Sequence, residues 1–420
     1  MKSRQKASVL CVAALVSVGA ARTASATTPT CMSLPNPIVI SGSTAVKAYI
    51  ADIGYAMSQA ATPATLVYSG PGSCSGVAEL LLSDGVSACG TTAGDCATGN
   101  GTYYTAPVSP ATAPTANTCT FDTAGDHVDV AVSDVFMNTC VTASGGAISA
   151  TGFTDLSNVI EAMAFTVPSA ATGQLAITAD EAYFVFGFAN ADNIMTTETP
   201  WINDTDLFIR TPTSGTEIVL SGEIGVPPAK WLGVQESSSG AVASGLGGLT
   251  GTTANLGLGI LGIDYISGNP TGMFKALAFQ AFGQNLAYYP DSTSTMKDKQ
   301  NVRDGHYTPW GYAHFITRNG TGSAATANGQ AVLNMLNGTT AVAGFTAEAA
   351  AIASYYVPQC AMTVQRTDDT FSTLAPYSDP HPCECGYLAL ATGAAPASCT
   401  ACTTTSATCP ACTLGYCEPR

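Results

Sequence analysis

Four stretches of the chain share one design: a strand-like run delivers the backbone to a turn of Ser, Thr and Gly that opens a helix or ends on a carboxylate. In the first, Pro37-Ile38-Val39-Ile40 leads into Ser41-Gly42-Ser43-Thr44. Val46, Tyr49, Ile50, Ile53 and Met57 then fall at the spacing of one buried helix face. The hydroxyl residues are expected at the N-cap of that helix, where unpaired N–H groups and the positive end of the dipole favour an anion. The second runs Leu66-Val67-Tyr68, then Ser69-Gly70-Pro71-Gly72-Ser73-Cys74-Ser75-Gly76, with a helix expected to open at Val77. Its glycines let the backbone approach a ligand, and Ser73 adds a hydroxyl donor. The third, Val128 to Asp134, alternates apolar residues and ends in Ser133-Asp134. In the fourth, Leu207-Phe208-Ile209-Arg210 leads to Ser214-Gly215-Thr216 and a helix near Glu217. Arg210 offers a planar fork of donors, and the residues after it a nest of N–H and hydroxyl groups.

Taken singly, each turn reads as an ordinary helix start, Asp134 as a strand-end cap and Arg210 as a structural ion-pair partner. As a set they describe something narrower. Three donor-rich helix starts, one Arg in a chain poor in basic residues and one strand-end carboxylate make a site for a tetrahedral oxyanion.

The elements that must position these groups form an α/β pattern, with strand-like and helix-like stretches alternating from residue 27 to about 358. From Cys360 onward Cys, Thr, Ala and Pro replace aliphatic periodicity, which predicts a small disulfide-stapled tail apart from the main core. The stretch from Cys89 to His127 is expected to be an irregular surface insertion pinned by Cys89, Cys96 and Cys119.

Lys2, Arg4 and Lys6 precede an apolar run from Ala7 to Ala20, and Ala24-Ser25-Ala26 supplies a small-x-small cleavage pattern. Residues 1–26 therefore read as a secretory signal, and the mature protein as periplasmic or secreted. Cleavage would remove four basic and no acidic residues, taking the formal charge from −15 to −19. With no cluster of Lys and Arg to release counterions, a nucleic-acid partner is excluded. Cleavage also removes Cys11, leaving six cysteines from Cys31 to Cys140 and eight from Cys360 to Cys417, both even numbers. Cys399-x2-Cys402-x6-Cys409-x2-Cys412 could hold zinc, but export favours disulfides and the six-residue spacer is short for a zinc ribbon. The pairing stays open. His127, His306, His314 and His381 are too scattered for a metal centre, and no cofactor is expected. No Gly-x-Ser-x-Gly or His-Glu-x-x-His pattern supplies a nucleophile with a base, so an enzyme is not expected.

In order along residues 35 to 355, the motifs resemble the phosphate-binding proteins of high-affinity phosphate ABC transporters, a branch of the type II periplasmic-binding fold. Ser41-Gly42-Ser43-Thr44-Ala45-Val46 is similar to the family's first loop, and Gly70-x-Gly72-Ser73-x-Ser75-Gly76-Val77 to its second. Val128-Asp129-x-x-x-Ser133-Asp134 resembles its strand ending in Ala-Ser-Asp. Arg210-x-x-x-Ser214-Gly215-Thr216 keeps the spacing of its most specific signature. Leu261-Gly262-Ile263-Asp264-Tyr265 and Tyr307 to Tyr312 resemble two later strands.

The resemblance implies a two-lobed fold, each lobe a mixed sheet flanked by helices: lobe 1 from 27–165 and 306–358, lobe 2 from 166–305, and a Cys-rich tail from 359–420. It implies a phosphate cage of Ser43, Thr44, Ala45, Ser73, Asp134, Arg210, Ser214, Gly215 and Thr216, closed by a hinge near Phe165 to Pro168. An ionised Asp134 would accept the proton that phosphate carries and sulfate lacks. The implied partners are inorganic phosphate and an ABC-transporter permease in the inner membrane, with the binding protein a monomer. An envelope interaction module on the same fold, or a secreted phosphatase-like enzyme, are the alternative readings.

Overall fold

The computed structural model describes residues 28–82, 96–107, 113–143, 151–188, 199–269, 272–320, 324–369, 374–406, 409 and 411–418. The secretory signal expected at 1–26, and Cys89, lie outside the described residues. Among the described residues no helix is long and apolar enough to cross a membrane.

The strand Pro37–Gly42 pairs in parallel with Thr65–Ser69 on one side and Val130–Ser133 on the other. Its alternate residues face different cores. Ile38 and Ile40 pack with Tyr49, Ile50 and Ile53 of the helix Lys47–Gln59, while Val39 packs with Val77 and Leu80 of the helix Ser73–Leu82. Burial on both faces explains why Pro37–Gly42 and Thr65–Ser69 carry continuous apolar runs rather than alternating ones.

One strand organises the rest. Phe153–Pro168 is 16 residues long and pairs antiparallel with Trp310–Arg318 over residues 153–162. From Met163 it turns to Leu258–Gly262, and over Thr166–Pro168 to Phe274–Ala276. Leu258–Gly262 in turn pairs in parallel with Leu207–Arg210, which pairs with Val234–Glu236. The long strand thus carries a six-stranded group on one side, ending at Thr115–Thr120, and the Arg210 group on the other, all in one mixed sheet. This is a mixed α/β architecture, with helices on the faces of one large sheet.

Two expectations need correction. The stretch from Cys89 to His127 is not wholly irregular, because Asn100–Thr105 and Thr115–Thr120 form a hairpin that extends the sheet from Thr65–Ser69. Its Thr and Tyr residues suit a strand, and a disulfide from Cys119 to Cys31 anchors it. Cys96 is also disulfide-bonded. The tail does not stand apart from the main core either. Cys383 and Tyr387 are buried in the same apolar cluster as Trp310 and Val302. Arg303 donates to Glu384 and lies over the Tyr387 ring, fixing the helix Glu384–Thr392 against the body.

Beyond that helix the tail is stapled as expected. Cys360 pairs with Cys383, Cys385 with Cys399, Cys402 with Cys412 and Cys409 with Cys417, so all four candidate zinc ligands are in disulfides.

Candidate functional site

The sheet brings the four turns to one place. Helix starts differ from expectation at three of them. Lys47, not Thr44, begins the first helix; its N-cap is Val46, which makes no side-chain cap, and Ser43 and Thr44 lie in the turn before it. The second helix begins at Ser73 itself, four residues before Val77. The fourth begins at Gly215 with Ser214 as N-cap, two residues before Glu217. Hydroxyls freed from capping are available to each other and to a ligand.

Ser43, Thr44, Ala45, Ser73, Asp134, Arg210, Ser214, Gly215 and Thr216 are all buried. They form two linked groups. In one, Ser73 Oγ donates to Asp134 Oδ2 at 3.1 Å and accepts from the Gly215 N–H at 3.2 Å. A Cβ at position 215 would lie 2.5 Å from Ser73 Oγ and 2.6 Å from Asp134 Oδ2, so glycine is required by the close approach. In the other, Arg210 Nη1 donates to Thr44 Oγ1 and to Ser239 Oγ, both at 3.0 Å. Arg210 Nε donates to the Glu236 carbonyl and Nη2 to the Ser237 carbonyl. The second Nη2 hydrogen has no partner among the described residues.

The Ala45 N–H, expected to face the ligand, is taken by Ser43 Oγ at 3.0 Å. Ser43 also lies beside Asp134, where its hydroxyl and that of Ser73 lower the carboxyl's pKa. Burial acts more strongly in the other direction, so Asp134 sits above the ordinary aspartate value, with Arg210 opposing. Among the described residues Asp134 Oδ1 is buried without a hydrogen-bond partner, as is Thr216 Oγ1.

Ser239 was not anticipated. It opens the helix Ser239–Gly248, donates its N–H to Thr44 Oγ1 at 3.2 Å, and holds Arg210 as well. The Ser237-Ser238-Ser239 run is the signal that could have found it, since Ser238 is a regular N-cap accepting from Ala241. Glu217 was noted only as a helix start. Burial raises its carboxyl to about 8, and its Oε2 accepts the Arg210 N–H at 2.8 Å.

No protein-family model matches the chain, and no curated protein matches it. Solved structures similar to it include a putative phosphate ABC transporter substrate-binding protein with bound phosphate from Clostridium perfringens. That pair is 10% identical, covers 77% of this chain and 99% of the other, and has a TM-score of 0.48. An ABC-type phosphate transport receptor from Vibrio cholerae is 14% identical over 76% of this chain and 99% of its own, with a TM-score of 0.44. A possible phosphate binding protein from Planctomyces limnophilus is 13% identical over 77% and 93%, with a TM-score of 0.42. What this chain binds has to follow from its own residues.

Those residues can do one thing well. The Arg210 guanidinium, buried hydroxyls and the Gly215 N–H lie close to the Asp134 carboxyl, one oxygen of which makes no hydrogen bond among the described residues. A ligand that completes this set must accept several hydrogen bonds and donate one.

Proposed function

We propose that this chain is an exported solute-binding protein that captures inorganic phosphate between two lobes and delivers it to an ABC-transporter permease in the inner membrane. The observation that carries the reading is the orphaned, buried Asp134 Oδ1 beside an Arg-centred donor set. Protonated phosphate fits both demands at once, with its bare oxygens accepting and its O–H donating to Asp134. Sulfate at neutral pH has no proton to give and would face the carboxylate unpaired.

In the arrangement seen, Ser73 is shared between Asp134 and Gly215. Phosphate would enter by exchanging those internal bonds for bonds to itself, with Ser43, Thr44, Ser214 and Thr216 completing the cage. Lobe 1, residues 27–165 and 306–358, would supply Ser43, Thr44, Ala45, Ser73 and Asp134. Lobe 2, residues 166–305, would supply Arg210, Ser214, Gly215 and Thr216. Ligands divided in this way favour capture by hinge closure across the long strand.

Equilibrium dialysis of ligand-stripped protein against labelled phosphate tests the binding step, with one phosphate retained per chain as the expected result. Phosphate uptake by cells carrying the Arg210→Ala form in place of the wild type tests the delivery step. Unchanged uptake would separate binding from transport.

A further inference from the structure

Two buried carboxyls beside the cage have no part in it. Glu161 lies on the long strand directly opposite Gly311, and paired residues of adjacent strands project to the same face. A Cβ on Gly311 would overlap the Asp134 carbonyl oxygen, so Glu161 projects to the side that carries Asp134. A Cβ on Gly262 would overlap Glu161 Oε1, come within 2.7 Å of Asp264 Oδ1, and lie 3.5 Å from the Ala45 Cβ. The two carboxyls therefore meet in the space that Gly262 leaves, against the loop that carries Ser43 and Thr44.

Glu161 is fully buried, and among the described residues neither of its oxygens has a hydrogen-bond partner; Asp264 Oδ1 is likewise buried and unpartnered there. Arg210 is the cation that acts on Glu161, and it is already held by Thr44, Ser239 and two carbonyls. The other titratable groups facing the pair are Asp134, Tyr265 and Tyr356, with Lys47, Asp52 and Tyr104 sharing a cavity wall with Asp264. Two desolvated carboxylates this close, with a third nearby, cannot all be ionised around one cation. Burial raises both groups first, and Asp134 and the mutual charge raise Glu161 further.

We propose that Glu161 and Asp264 form a proton-holding pair that makes phosphate capture a proton-linked event, an inference that rests on the phosphate-binding reading above. When the anion enters, its charge is felt by the pair, and a proton from solvent adds to a carboxylate to give a carboxylic acid. The O–H bond that breaks is that of a hydronium ion, which leaves as water, and nothing is oxidised. Asp264 is 8% exposed and borders a cavity of about 1170 Å³ with Tyr265 and Lys47, which gives the proton its route. By linkage, a site that takes up a proton on binding holds phosphate more tightly at low pH and loses affinity as pH rises through the titration of the free pair.

The experiment is a calorimetric phosphate titration of the full-length protein in buffers of different protonation enthalpy between about pH 6 and 9, a range that brackets raised carboxyls. Wild type is compared with the isosteric Glu161→Gln/Asp264→Asn variant, and with each single variant should the double one not fold. The expected result is a proton uptake per phosphate in the wild type that the variants lose, with a flatter dependence of affinity on pH. Equal proton uptake in wild type and variants would overturn the inference and leave phosphate binding standing. If the wild type does not bind phosphate, the functional reading fails, and the pair is judged by infrared spectroscopy instead. A protonated-carboxyl C=O band at neutral pH that disappears in the variants supports the pair, and its absence from the wild type refutes it.

Discussion

The Arg210 guanidinium donates to the Thr44 hydroxyl at 3.0 Å, joining residues 166 positions apart that stand on opposite sides of the long strand Phe153–Pro168. Both ends of this bond are buried, and Ser239 closes a triangle with them at 3.0 and 3.1 Å. The contact orients the planar fork of Arg210 while leaving one Nη2 hydrogen free to meet an anion. The proposed cage is therefore a property of the assembled sheet rather than of any single turn.

Arg210→Ala should reduce phosphate affinity by at least about two orders of magnitude, the usual cost of removing a buried, hydrogen-bonded charge from an interface. Arg210→Lys should fail nearly as badly, because an ammonium cannot reach Thr44, Ser239 and the carbonyls of Glu236 and Ser237 together. Fluorescence or dialysis titration of both variants checks this.

Asp134→Asn should keep the fold and change the selectivity. An amide presents donors where phosphate brings its proton, so phosphate affinity should fall and sulfate should improve relative to it. Competition of the two anions on one protein sample measures the ratio directly.

Gly215→Ala places a methyl within 2.6 Å of both Ser73 Oγ and Asp134 Oδ2. Overpacking of this kind costs about 1–3 kcal/mol of stability, which should appear as a lower urea unfolding midpoint and weaker phosphate binding, with little change in the far-ultraviolet circular dichroism.

The disulfide from Cys74 to Cys140 ties the helix that starts at Ser73 to the helix Met137–Ala143 that follows Asp134. Replacing both cysteines by serine releases a crosslink spanning 66 residues. Urea unfolding should show a loss of up to about 4 kcal/mol, and phosphate binding should weaken as the Ser73–Asp134 geometry relaxes.

Stability should fall as pH rises through the neutral range. Burial raises Glu79 and Glu223 to about 7 and Glu217 to about 8, from an ordinary value of 4.5. The folded chain therefore holds more protons than the unfolded one between those limits. The stability this confers is complete below the unfolded value and is lost as pH climbs through the folded values. Unfolding midpoints measured from about pH 5 to 8 should decline, and Glu217→Gln should flatten the upper part of the curve.

Much of this was legible in the sequence because the chemistry sits at strand ends. Arg210-x-x-x-Ser214-Gly215-Thr216 is readable because four residues suffice to pass from the last position of a strand into the first turn of a helix. The buried helix face at Val46, Tyr49, Ile50, Ile53 and Met57 follows from periodicity alone, and all five are buried. The start of that helix was misplaced, since Thr44 spends its hydroxyl on Arg210 and Ser239 rather than on a cap. Ser239 is marked only by a run of serines and Asp264 only by a strand-like motif, and nothing local marks Glu161 or ties any of the three to the site. Each meets the cage through sheet pairing or a contact far along the chain, and no spacing rule reaches that distance. The fading aliphatic pattern hides that the tail joins the main core, where Ala361, Met362, Cys383 and Tyr387 are buried and Tyr387 lies beneath Arg303.

The central claim is that Asp134 and Arg210 form a cage for a protonated tetrahedral oxyanion. Calorimetric titration of ligand-stripped protein with phosphate, and then with sulfate, tests it most directly. The account predicts one-to-one, tight binding of phosphate and much weaker binding of sulfate at neutral pH. Absence of heat and of retained phosphate, or equal affinity for the two anions, would contradict it.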